Sequence, residues 1–184
     1  MAFASQSGLL NDPFEPIPKI VTVFDAMQVM RKTCLVYGFR YFSVITLRSI
    51  ISGGDASLSE LATISSWPPD LIANYDRLEL ARNSPILDQL RKQITPLEFH
   101  VEMVNTARPG DEPANANELF ARFGLTTGVY FPVQDSNGLR QAVSFIGNRA
   151  PLSAQELSML ALFSTMLVEQ MSRISAAEIG RAHV

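Results

Sequence analysis

The stretch LTTGVYFPVQDSNGLRQAVSFIGN, residues 125–148, constrains the fold more tightly than any other part of the chain. Two runs rich in β-branched and aromatic residues flank Ser136-Asn137-Gly138. Asn-Gly tolerates the positive φ that a tight turn demands, so the runs read as the two antiparallel strands of a hairpin. A long amphipathic helix follows directly. In LSAQELSMLALFSTMLVEQMSRI, residues 152–174, Ser153 and Glu156 have capping-box spacing. Leu160, Phe163, Leu167, Met171 and Ile174 line one face, and Leu162 and Met166 widen it. Such a stripe is broad enough to cover a sheet and still meet a partner helix. Met166 and Met171 are the candidate dimer contacts.

Upstream, Val23, Met27, Met30, Cys34 and Tyr37 share helical spacing, and Gly38 stands where a helix stop belongs. RYFSVITLRSI (40–50) reads as a strand, Gly53-Gly54-Asp55 as a turn, and SELATISS (59–66) as a weaker second strand. Pro68-Pro69 suits the opening of a helix that carries Leu71, Tyr75, Leu78 and Ala81. Pro85 interrupts it, and ILDQLRKQ (86–93) is a second short helix. LEFHVEMV (97–104) alternates like a third strand. NTARPGDEPANAN (105–117) reads as a polar loop before a short helix, ELFARFG (118–124). Five strands with helices between and around them predict an α+β sandwich, at least partly antiparallel. Residues 1–20, with three prolines, are expected to be an irregular lead-in; 21–176 form the domain, and 177–184 are a tail or the start of a linker to a further domain.

Composition narrows the function classes. The chain has 184 residues, 47% hydrophobic, enough for one substantial core. A net charge of −3 lacks the electrostatic footprint of a nucleic-acid binder. No apolar run approaches the roughly 20 residues that span a bilayer, so no membrane partner is expected. The single cysteine, Cys34, cannot close an internal disulfide, which fits a cytoplasmic setting. It sits among apolar neighbours, where a thiol behaves as a small hydrophobe. His100 and His183 are far apart, and no phosphate loop or nucleophile elbow occurs. Neither a metal, a cofactor nor enzymatic catalysis is expected.

The hairpin with the capped helix behind it resembles the ligand-binding domain of LuxR-type quorum-sensing regulators, over about residues 20–176. The resemblance implies an α-β-α sandwich with a central, mainly antiparallel five-stranded sheet and helices on both faces. It implies a pocket for an acyl-homoserine lactone or another small amphipathic ligand. It also implies a homodimer, or a heterodimer with a related regulator, and DNA contact only through a helix-turn-helix domain absent from this chain. The family's pocket pattern is a tryptophan, a tyrosine four residues later, and Asp-Pro nine beyond the tyrosine. Here Tyr75 fits the tyrosine, Pro85 the proline, and Gly128 a later glycine. Leu71 stands at the tryptophan, Ser84 at the aspartate, and Phe99 at a second tryptophan. Trp67 falls at another aromatic lining position, and Ser144 at a hydroxyl position near the polar end of the acyl chain.

Those substitutions alter the chemistry. In the family the tryptophan N–H donates to the lactone carbonyl and the aspartate accepts from the ligand amide. Leucine does neither, and serine accepts without a charge. Losing both contacts weakens lactone binding by about 30- to 150-fold, or roughly 2–3 kcal/mol. Each residue also has a plain structural reading. Tyr75 and Trp67 can be core and loop anchor, Ser84 a helix N-cap, Leu71 and Phe99 apolar filling, and Ser144 a partner of backbone. A ligand-free interaction domain, pairing with another regulator of the family, is therefore the competing reading.

Overall fold

The computed structural model describes residues 12–47 and 57–182. The predicted turn at Gly53-Gly54-Asp55 and the tail of the first predicted strand lie outside them. Among the described residues, the helices are α1 (Val23–Val36), α2 (Leu58–Leu61), α3 (Pro69–Arg77), α4 (Pro85–Leu90), α5 (Val101–Asn105), α6 (Glu112–Arg122) and α7 (Ala154–Ala182). The strands are β1 (Tyr41–Thr46), β2 (Ala62–Ser65), β3 (Leu97–His100), β4 (Thr127–Gln134) and β5 (Arg140–Gly147). They form one sheet in the order β2-β1-β5-β4-β3, every neighbouring pair antiparallel.

The hairpin forms in register, with Gln134 opposite Arg140. Its turn is made by Asp135, whose Oδ1 accepts from the amides of Asn137 and Leu139, and by Gly138 at φ 81°. Pro132 is tolerated inside β4 because β3 pairs with that strand only as far as Tyr130. The hairpin is also tied to α7, since Ser172 Oγ donates to Asp135 Oδ2 at 2.9 Å.

Successive residues of a strand face opposite sides, so the sheet carries two cores. On one side Phe42, Val44, Phe131, Val143 and Phe145 meet Met30 and Cys34 of α1 and Leu160, Phe163 and Leu167 of α7. Ile17 and Ile20 are buried there too, so this core draws on chain that precedes α1. On the other side Ile45, Tyr130, Ala142 and Ile146 meet Leu71, Tyr75, Leu80, Leu87, Leu90, Leu119 and Phe120. Each fully buried side chain of this size stabilises the fold by about 1.5–3 kcal/mol.

Four local expectations are corrected. The segment read as a second strand begins with a helical turn, α2, because Ser57 and Glu60 form a capping box. Asp76 also accepts from the Leu58 and Ser59 amides at that helix start. The third strand ends at His100, opposite Thr127 where β4 begins, and the chain turns into α5. The polar loop is shorter than read, because α6 starts at Glu112 with Pro113 in its first turn and Ala116 buried. Finally, α3 stops at Arg77. Glu79 takes φ 51°, which no helix continues through, and Ala81 lies in the following turn.

Candidate ligand site

Between the second core's sheet face and helices α3–α6 lies a cavity of about 40 Å³. That volume holds roughly two to four waters. Trp67, Tyr75, Ser84 and Phe99 all line it, together with Ile45, Phe120, Tyr130, Asn105 and Arg108. Leu71 and Ser144 do not. Leu71 is fully buried in the core beside the cavity. Ser144 pairs across the sheet with Ser43, hydroxyl to hydroxyl at 2.6 Å, and its register partner on β4 is Tyr130.

Local sequence explains the aromatic wall. Pro68-Pro69 start α3 directly after Trp67, and Tyr75 follows on that helix. The Trp67, Tyr75 and Phe120 rings meet edge to face, with centroids 6.0–6.3 Å apart, a favoured quadrupole arrangement. Phe99 lies over Gly128, its register partner. A Cβ on Gly128 would come within 2.5 Å of the Phe99 ring, so the missing side chain makes room for that wall.

The polar end is built around a buried cation. Arg108, 7% exposed, donates through Nε to Asn105 Oδ1 at 2.9 Å. Its Nη1 donates to the carbonyls of Leu80 at 2.7 Å and Asn83 at 3.4 Å. Glu112 Oε2 stands 3.5 Å away and balances the charge. Glu112 Oε1 accepts from Asn83, so the pair clamps the turn between α3 and α4. Tyr75 donates to the same Leu80 carbonyl at 3.3 Å. Burial raises the Tyr75 phenol above its usual range, and contact with Arg108 and Ser84 offsets part of that shift. Burial likewise raises Tyr130. Both stay neutral hydroxyls at any ordinary pH.

Ser84 N-caps α4, accepting from the Leu87 amide at 3.3 Å. At the other end of α4, the Arg140 guanidinium donates to the carbonyls of Leu90, Arg91 and Gln93. Two buried polar atoms of this region lack a hydrogen-bond partner, Glu112 Oε2 beside Arg108 and the indole Nε1 of Trp67. Such a deficit typically costs about 1–3 kcal/mol.

Arg108, Asn105 and Tyr130 were not singled out from the sequence. Arg108 sits in a Pro- and Gly-bearing polar run where arginine looks solvent-exposed, and no local signal distinguishes it. Among the described residues no group of metal-ligating side chains occurs, and no helix is long and apolar enough to cross a membrane.

The fold is shared with known sensors. CepR2 of Burkholderia cenocepacia, described as an N-acylhomoserine lactone dependent LuxR family transcription factor, superposes with a TM-score of 0.63 at 19% identity, over 92% of this chain and 94% of that one. SdiA of Escherichia coli gives 0.63 at 13% identity, over 88% of this chain and 66% of SdiA. SdiA in complex with octanoyl-rac-glycerol gives 0.61 at 14%, over 86% and 63%. At such identities the likeness is one of fold. No curated protein matches the chain in sequence. The family described as autoinducer binding domain matches residues 22–171. The chain thus belongs to that family, the ligand-binding domains of LuxR-type quorum-sensing regulators.

Proposed function

We propose that this domain senses a small amphipathic ligand in the cavity walled by Trp67, Tyr75, Ser84 and Phe99, and reports it through dimerisation on α7. The carrying observation is that these four residues, from separate elements of the chain, line one cavity that also holds Arg108 and Asn105 at a polar end. CepR2 is described as lactone-dependent, and SdiA is found with an acylglycerol; acyl compounds are the first class to try. Ligand pockets usually occupy about 300–1,000 Å³, so binding here requires the walls to open.

Expected result: an acyl-homoserine lactone or acylglycerol at a hundredfold excess over its Kd stabilises the domain by about 2.7 kcal/mol. That raises Tm by about 5–10 °C in a melting experiment on a domain of this size. Flat melting curves across chain lengths from four to twelve carbons would reject the ligand reading.

The second reading is a ligand-independent interaction domain that pairs with another LuxR-type regulator, and the cavity's 40 Å³ favours it. Both readings use α7. Met166 and Met171 are half-buried against the core, and Leu162, 53% exposed, extends the apolar flank into solvent. Leu162→Glu, alone or with Met166→Glu, is expected to shift the domain from dimer to monomer in analytical ultracentrifugation. A parent domain that stays monomeric at high micromolar concentration would remove the dimer from either reading.

A further inference from the structure

We propose that the outer face of α1 is a self-association surface, where α1 packs antiparallel against α1 of a second copy of this chain. The inference rests on the dimer in the reading above, moves its centre from α7 to α1, and does not depend on any ligand.

The exposed apolar side chains are unevenly placed. Of the nine large ones among the described residues, Val21, Val23, Phe24, Leu35 and Val36 lie on α1 or just before it, and α7 contributes Leu162 alone. Phe24 is 67% exposed and Leu35 70%. Eleven residues apart, they stand three turns apart on one side of the helix, with exposed Gln28 and Arg31 between them. The opposite side, with Ala26, Met30, Thr33 and Cys34, is the buried one, so the outer stripe takes no part in the core. Single exposed apolar residues need no explanation, but an aromatic and a leucine aligned on one helix face do.

Charge decides the occupant and its direction. The stripe reads Phe24, Gln28, Arg31, Leu35, with spacings of four, three and four, the seam of a helix pair. The spacing is the same when reversed. An antiparallel second α1 therefore sets Phe24 against the partner's Leu35 at both ends, and Gln28 against the partner's Arg31 twice in the middle. The Gln28 side-chain oxygen accepts from that guanidinium. On the flank, Asp25 comes beside the partner's Lys32, again twice. A parallel pair would instead set Arg31 against the partner's Arg31 and Lys32 against the partner's Lys32, a repulsion between like charges. The antiparallel contact is isologous, as a two-fold dimer requires. At 14 residues α1 is about 21 Å long, too short to bury a stable interface alone. Helix α7 lies in the same layer, its Gln170 Nε2 donating to the Ile20 carbonyl at 2.7 Å, and Leu162 adds to the rim.

Cross-linking reads the direction. Phe24→Cys and Leu35→Cys are made separately, both at exposed sites, while the native Cys34 is buried and out of reach. A short bismaleimide is expected to join an equal mixture of the two variants into a covalent dimer, and to leave each variant alone monomeric on a denaturing gel. In the antiparallel pair the two copies of residue 24 stand about 16 Å apart along the axis. Cross-linking of either variant alone as fast as in the mixture means a parallel or unspecific contact and overturns the proposal. In analytical ultracentrifugation, Phe24→Glu is expected to raise the dimer Kd at least about tenfold, since one change removes the contact twice. A dimer that Leu162→Glu splits and Phe24→Glu leaves intact overturns the α1 pairing and leaves the α7 dimer standing. A parent domain that stays monomeric at high micromolar concentration overturns both, and leaves the face to a different partner.

Discussion

Arg108→Ala is expected to lower unfolding free energy by about 3–5 kcal/mol, a loss read directly from urea denaturation midpoints. The guanidinium is almost fully buried and binds Asn105, Leu80 and Asn83, groups that hold the turn between α3 and α4. Without it these acceptors stay buried and unpaired, each costing about 1–3 kcal/mol unless water enters. Glu112 also loses the cation 3.5 Å from its Oε2, an oxygen that is buried with no hydrogen-bond partner of its own. Arg108→Lys should recover only part, since an ammonium cannot span the same fork of acceptors. A change below about 1 kcal/mol in the alanine variant would show the turn to be held by apolar packing alone.

Cys34 is expected to resist alkylation by about a thousandfold in the folded domain relative to the urea-unfolded chain at pH 8. Burial in the α1 core pushes its thiol up to about 12 from an ordinary 9.0. The thiolate is the nucleophile, and its fraction at pH 8 falls from about one in ten to about one in ten thousand. Mass spectrometry after timed exposure to iodoacetamide reads the ratio. Folded and unfolded rates within tenfold of each other would place the thiol in solvent. The same shift has a stability consequence of definite sign. Between the unfolded value near 9.0 and the folded one near 12, the folded state holds the extra proton, so stability falls as pH rises through that window.

Much of the fold was legible because local chemistry and tertiary need agree there. The hairpin turn, the capped α7 and the five strands each carry a signal within a few residues. The misreadings have a common cause. HVEMV alternates like a strand over a stretch too short to show helical period, yet the ladder with β4 ends at His100, after one last bond from the Val101 amide to the Thr126 carbonyl, and the chain turns into α5. PANAN reads as loop because asparagine and proline favour turns, yet the proline falls in a first helical turn and Ala116 reaches the core. The site divides in the same way. The resemblance to a pocket pattern led to Trp67, Tyr75, Ser84 and Phe99, which line one cavity. Arg108 could not be found so, because its importance lies in carbonyls 25 and 28 residues away. Leu71 shares a helix face with Tyr75 by spacing, but its place beside the cavity is set by packing that spacing does not encode.

The two-faced sheet also governs how such a domain can diverge. Tyr130 and Phe131 are chain neighbours answerable to different selective demands, one to the chamber and the other to the layer under α7. A lineage can therefore rewrite every second residue of a strand, and with it the chemistry of the chamber, while the intervening residues keep the opposite layer intact. Few positions are bound by both demands at once. A chain only 19% identical to CepR2 thus keeps the same fold over nine-tenths of its length.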